Sequence, residues 1–271
     1  MRRDGPNDRK DSIFDMIVRS YVETAEPVGS RTLSRRYKLG LSPASIRNVM
    51  ADLEEQGLLK QPHTSAGRIP TDRGYRYWVD TLMEPEALPD DQKAWIDEEL
   101  EKARTIEALA ERVSKVISEL TKNAAILYVK SLKRISFLSH LLEELVEVQQ
   151  LADFIEEESE IFIEGTVNIF EQPEFQDLRK MRALIVAFDQ KLGFLSILVK
   201  DLEVQGVRVH IGSESELGEL EDLSLVVKDC YLGKVPIGGI AAVGPTRMKY
   251  SKVVPIVEYV ADSVTEMVGR F

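Results

Sequence analysis

Apolar positions recur at helical spacing through the first third of this chain and give way to short β-branched runs in its last third. The most informative stretch runs from Ser42 to Pro70, SPASIRNVMADLEEQGLLKQPHTSAGRIP. Ile46, Val49, Met50 and Leu53 stand at i, i+3, i+4 and i+7, one apolar stripe on a helix. Ser42 is a good N-cap, and Pro43 fits the first helical position, where an N–H would have no partner anyway. Gly57 stands where a helix closes in a left-handed residue. Leu58 to Gln61 has the length of a strand, Pro62 to Gly67 the residues of a turn, and Arg68-Ile69 the character of a return strand. The pattern predicts a recognition helix followed by a small wing.

The flanks extend this reading. Ile13, Phe14, Ile17, Val18 and Tyr21 share one face of a helix predicted over Asp11 to Thr24, behind a frayed start at residues 1–9. Glu26 to Gly29 is a turn, Ser30 is placed to cap a second helix over Arg31 to Tyr37, and Lys38 to Leu41 is a tight turn. Two short helices joined by a Gly-containing turn make a helix-turn-helix. Thr71 caps a helix over Asp72 to Met83, whose Tyr75, Trp78, Val79 and Leu82 belong in a core rather than stacked on bases.

Glu84 to Asp91, with two prolines and four acids in EPEALPDD, reads as a linker. The organisation is therefore a winged-helix domain at 1–83, a linker at 84–91 and an α+β domain at 92–271. One long helix is predicted over Gln92 to Leu120, its stripe Ile96, Leu100, Ala103, Ile106, Leu109, Val113, Val116 and Leu120 packing on its own body or on a second chain. Ala124 to Val129 is a strand, and Phe137 to Glu158 an acidic helical stretch. Ile161 to Ile163 is strand-like, Glu174 to Phe188 helical, and Phe194 to Leu202 helix or strand. Val207 to Ile211, Leu223 to Tyr231 and Pro236 to Val243 are strands. Gly233, Gly238-Gly239 and Gly244-Pro245 read as turns around a strand, and Tyr250 to Val268 closes the chain as a helix.

Charge sharpens the functional picture. The net charge of −11 looks wrong for a nucleic-acid binder, but the first 80 residues hold 14 Lys and Arg against 11 Asp and Glu. A mildly basic head on an acidic body suits double-stranded DNA at one end and solubility at the other. Opposite the apolar stripe, Ser42, Ala44, Ser45, Arg47 and Asn48 form a small, hydrogen-bonding leading edge, with Arg suited to guanine and Asn to adenine. Ser30, Arg31, Thr32 and Arg35 are candidates for phosphate contacts from the preceding helix. In the wing, His63, Thr64, Ser65 and Arg68 are candidates, Arg68 for phosphate or the minor groove. The other histidines, His140 and His210, have no metal-ligand spacing, and no P-loop, GxGxxG or GxSxG occurs, so no catalytic residue, metal or cofactor is expected. Cys230, the sole cysteine, reads as a buried thiol in a strand. No apolar run approaches the ~20 residues that span a bilayer, and a cytoplasmic protein without a membrane partner is expected. A second reading, a metabolite-sensing winged-helix regulator, needs a polar pocket, and the C-terminal strands carry few convergent polar groups.

Glu26 to Asp80 resembles the N-terminal domain of HrcA, the bacterial heat-inducible transcription repressors, and SAGRIPTDRGYR is the most specific part of the match. Similar stretches follow in IFIEGTVNIFEQPEF (Ile161 to Phe175), VHIGSES (Val209 to Ser215), DLSLVVKDCY (Asp222 to Tyr231) and GGIAAVGPTRMKYSKVV (Gly238 to Val254). The resemblance implies a homodimer that binds an inverted-repeat operator ahead of chaperone operons. It implies release on heat stress, with the chaperonin as modulator, and a GAF-like α+β body with an inserted dimerisation region. Between Phe137 and Ile161 this chain is shorter than that pattern, so an abridged body is expected. The dimer contact is expected to come from the 92–120 helix in preference to the C-terminal strands.

Overall fold

Helices come first in the computed structural model, which describes residues 6–37, 40–130, 159–201, 206–215 and 217–270. The chain divides into two units, Met1–Glu84 with Thr246–Lys249, and Pro85–Pro245 with Tyr250–Phe271. The first unit contains α1 (Pro6–Thr24), α2 (Ser30–Tyr37), α3 (Pro43–Glu55), β1 (Leu59–Lys60), β2 (Ile69–Pro70) and α4 (Asp72–Thr81). The α1 helix starts earlier than the apolar pattern suggests, because Pro6 is favourable in a first helical turn. Ser30 opens α2 as a helical residue rather than capping it, and the Gly29 carbonyl accepts from Leu33 N.

Ser42 caps α3, its Oγ accepting from Ser45 N at 3.1 Å. At the other end Gly57 has φ +71°, Gly57 N donates to Glu54 O and Leu58 N to Leu53 O, both at 2.9 Å. That pair of bonds closes the helix and turns the chain directly into the hairpin. The wing strands are shorter than expected. They pair only Leu59 with Pro70 and Lys60 with Ile69, because Arg68 is engaged elsewhere. Arg68 N and O exchange 2.9 Å hydrogen bonds with Val28, so the segment before α2 acts as a third strand. Thr71 caps α4, accepting from Gly74 N at 3.0 Å and donating to Gly57 O at 2.6 Å. The core gathers Phe14, Ile17, Leu33, Ile46, Leu53, Leu59, Tyr75 and Trp78, all 2% exposed or less. Trp78 Nε1 donates to Asp15 Oδ1 at 2.7 Å, which satisfies the one polar atom of that buried ring.

The second unit begins with α5 (Asp90–Glu101) and α6 (Ile106–Thr121). The expected single helix over 92–120 is broken between them. Thr105 accepts from Ala108 N at 3.2 Å and starts a new helix. The apolar stripe nevertheless runs on, because both helices bury it: Ile96, Leu100, Ala103, Ile106, Leu109, Val113 and Val116 are at most 6% exposed. It packs on its own body.

Next come β3 (Ala124–Lys130), β4 (Ser159–Glu164), α7 (Thr166–Phe170), α8 (Leu178–Gln190), α9 (Leu192–Asp201), β5 (Arg208–His210), β6 (Leu223–Leu232), β7 (Val235–Pro245) and α10 (Tyr250–Val268). The open choice at 194–202 resolves to helix. The acidic stretch at 137–158 lies outside the described residues. The five strands form one antiparallel sheet in the order β4-β3-β7-β6-β5. Ala124, Ile126, Val227, Leu225, Ala241 and Val243 point to one face, against Ile169, Phe175, Leu184, Phe194 and Leu198 of the α7–α9 layer. The other face carries α6 and α10. A sheet covered on both sides needs apolar residues at both phases, which explains the unbroken run AAILYV in β3. The second unit is thus an α+β domain of the expected GAF-like class, and the first is a winged helix.

The sheet corrects the sequence reading of its glycines. Gly233 does sit in the β6–β7 turn, at φ +62°, but Gly238, Gly239 and Gly244 lie inside β7. A Cβ on Gly238 would stand 2.1 Å from the Tyr128 carbonyl oxygen, so the β3–β7 approach leaves no room for a side chain. His210 belongs to a half-buried ionic cluster that holds the edge strand β5. Arg208 bridges Asp229 at 2.6 Å and Asp201 at 3.2 Å, and His210 Nε2 lies 2.7 Å from Asp201 Oδ2. Burial opposes ionisation of Asp201, but the His210 and Arg208 contacts outweigh it and hold its carboxyl below the usual range. At Asp229 burial dominates and raises the carboxyl despite Arg208.

Gly238→Ala should destabilise the body by about 1–3 kcal/mol, the range for forced overpacking. Urea unfolding followed by Trp95 fluorescence in a Trp78→Phe background would measure it; an unchanged midpoint would show that the β3–β7 spacing can relax.

Candidate nucleic-acid interface

An open cleft of about 460 Å³ lies in the first unit, between the start of α2, the outer face of α3 and the wing. Of the residues expected to meet DNA, Ser30, Arg31, Arg47, Thr64, Ser65 and Arg68 line it. Thr32, Arg35, Ser42, Ala44, Ser45, Asn48 and His63 lie outside the cleft, all of them exposed. The helical phase explains the division. With Ile46, Met50 and Leu53 in the core, Ala44, Ser45, Arg47 and Asn48 are turned outward.

The cations of this surface differ in their freedom. Arg31, Arg35 and Arg47 are exposed and have no ion-pair partner among the described residues. Arg68 is different. Its guanidinium meets Glu54 Oε2 through Nε at 2.9 Å and Nη2 at 2.8 Å, with the two side chains 21% and 34% exposed. This two-pronged pair ties the wing to the last turn of α3, so Arg68 acts on the position of the wing before it acts on any ligand. Ser42 Oγ is likewise engaged, as the cap of α3 and 3.0 Å from Ser45 Oγ.

Three positioning residues escaped the sequence reading. Glu54 is one, since its partner lies fourteen residues away and no helical period links them. Gln61 is another: its Nε2 donates to Thr64 O at 2.9 Å and Ala66 O at 3.0 Å, clamping the wing turn. Gly67 is the third. A Cβ there would lie 2.4 Å from the Val28 carbonyl carbon, so the wing reaches Val28 only with glycine at this position. Gly74 obeys the same rule against the Leu58 carbonyl oxygen, at 2.1 Å. The signal was present in SAGRIPTDRGYR, whose two glycines sit at the two backbone crossings.

Comparison with known proteins places this geometry in a family. The chain is 34% identical to the heat-inducible transcription repressor HrcA of Desulfitobacterium hafniense, in a match that covers 96% of this chain and 97% of that protein. The chain belongs to the HrcA family. The HrcA of Geobacter sulfurreducens is also 34% identical, over 96% of this chain and 98% of that protein. The family described as HrcA protein C terminal domain matches residues 129–254. The alignment with the Desulfitobacterium HrcA extends over 337 positions, more than the 271 residues here, so that HrcA carries residues with no counterpart in this chain. A crystal structure described as a hypothetical protein superposes with a TM-score of 0.71 at 20% identity, covering 97% of this chain and 98% of the other, and shows the same fold. The HrcA relatives are named as transcription repressors rather than enzymes. No described helix is long and apolar enough to cross a membrane.

Gly67→Ala should cost the head about 1–3 kcal/mol, because the wing must move off Val28. Urea unfolding with Trp78 as reporter, in a Trp95→Phe background, would measure the loss, and wild-type behaviour would mean that the Val28–Arg68 bridge does not depend on glycine.

Proposed function

We propose that this chain is a sequence-specific, DNA-binding repressor of heat-shock operons. In this reading it binds an inverted-repeat operator as a homodimer in the cytoplasm, leaves DNA on heat stress and is modulated by the chaperonin. One observation carries the DNA-binding part: two guanidinium groups with no ion-pair partner among the described residues, Arg31 and Arg47, line one cleft beside a wing held in place by the Glu54–Arg68 pair. Membership of a family whose named members are heat-inducible repressors supports the regulatory part.

The roles follow from position. Asn48, Ala44 and Ser45 offer base-edge contacts from the outer face of α3, joined by Arg47. Ser30, Arg31, Thr32 and Arg35 contribute phosphate contacts from α2, and His63, Thr64 and Ser65 do so from the wing tip. Arg68 sets the wing. One such head reads few base pairs and is only mildly basic, so a monomer binds weakly. Two heads related by a two-fold axis each take half of an inverted repeat, and the second contact gains from high effective concentration.

Gel shifts on the promoters of the organism's own chaperone operons test the reading, and binding no tighter than to random DNA would sink it. Arg47→Ala should weaken operator binding by about 1–3 kcal/mol and relax preference at one base pair. Arg31→Ala should weaken specific and random DNA alike and lower the salt slope by about one. Equal loss on both DNAs for Arg47→Ala would make it a phosphate contact as well.

A further inference from the structure

The expected dimer surface is occupied from within, since α5 and α6 bury their stripe in their own body. The exposed large apolar side chains among the described residues lie elsewhere: Leu178 at 81%, Ile185 at 54% and Val186 at 43% on α8, Val199 at 44% on α9, and Val167 at 63% on α7. Leu178 and Ile185 stand seven residues apart on one face of α8, with Val186 beside them, and exposed apolar side chains grouped on one helix face mark an interaction surface. A groove of about 650 Å³ runs beside it between α8 and α9, walled by Arg182, Val186, Ser196, Ile197 and Lys200, with Leu217 behind.

The charge pattern identifies the occupant. Ile185 and Val186 sit at the centre of the exposed face. Arg182 lies one helical turn before them and Asp189 one turn after, both exposed and neither with an ion-pair partner among the described residues. A second α8 laid antiparallel across a two-fold axis at Ile185–Val186 brings each Arg182 opposite the other copy's Asp189. It also sets Ile185 of each copy over Val186 and the groove of the other. A surface that complements itself under two-fold rotation is what an isologous contact requires. The basic first turns of α8, with Arg179 and Arg182 near its positive end, also gain from the acidic, negative end of an antiparallel neighbour.

We propose that a second copy of this chain docks on the outer face of α8, antiparallel, with Ile185 and Val186 at the axis and reciprocal Arg182–Asp189 ion pairs. The proposal rests on the homodimer reading above and names its surface.

The test uses the full chain in sedimentation velocity, with operator binding measured alongside. Wild type is expected to sediment as a dimer. Ile185→Glu and Arg182→Asp should each weaken self-association at least ten-fold and weaken operator binding with it. The double exchange Arg182→Asp with Asp189→Arg should restore both to within a few-fold of wild type. All three positions are exposed, so melting temperatures should hold, and Arg182→Asp decides the matter if Ile185→Glu fails to fold. A wild-type dimer with both single variants equally dimeric would overturn this surface, assign the groove to another occupant and leave the homodimer reading standing. A wild-type chain that binds its whole operator as a monomer would overturn both.

Discussion

The head depends on two backbone crossings that exclude every side chain but hydrogen. At Gly67 the wing meets the strand-like segment before α2, and at Gly74 the last helix of the head meets Leu58, just before the first strand of the wing. Contacts this close leave no slack, so the position of α3 relative to the wing follows from main-chain geometry. The Glu54–Arg68 pair and the Gln61 clamp then fix what the crossings allow: one joins the wing to α3, the other shapes its tip. The cleft containing Arg31 and Arg47 is a product of that framework. Under the proposed DNA-binding role such rigidity has a use, since a reading surface must hold its contacts before the ligand arrives.

The body solves a different problem. Its sheet has apolar residues on both faces and needs two layers of helices to cover them. In the α6–α10 layer the large apolar side chains are buried or half-buried. The α7–α9 layer is buried on its inner side and retains apolar side chains on its outer side. Asymmetry between two layers of one sheet is a physical clue to assembly that neither layer gives alone.

Local periodicity made the head legible in the sequence. The stripe of α3, the Ser42 and Thr71 caps and the Gly57 stop each involve residues at most a few positions apart, and the structure reproduces them. Periodicity failed where two elements shared one core. The stripe of Gln92 to Leu120 continued through the break at Thr105 because both halves bury it, so spacing could not reveal the turn. Composition failed at Gly238, where glycine signalled a tight crossing between strands and not a turn. For the candidate interface, burial phase separated outward from inward residues of α3 correctly. The pairing of Arg68 with Glu54 could not be read, because a contact between a wing and a helix end follows no period.

Cys230 lies in β6 at 2% exposure, and burial pushes its thiol far above the ordinary range. A thiol in that setting is closed to reagents while the sheet is intact, because the thiolate is the reactive form and neither water nor reagent reaches it. As the only cysteine of the chain, it makes the protein its own clock for opening. The rate at which a thiol reagent modifies the untouched wild-type sequence measures how often the body exposes its centre. Measured at several temperatures, that rate reports how heat changes the integrity of the body.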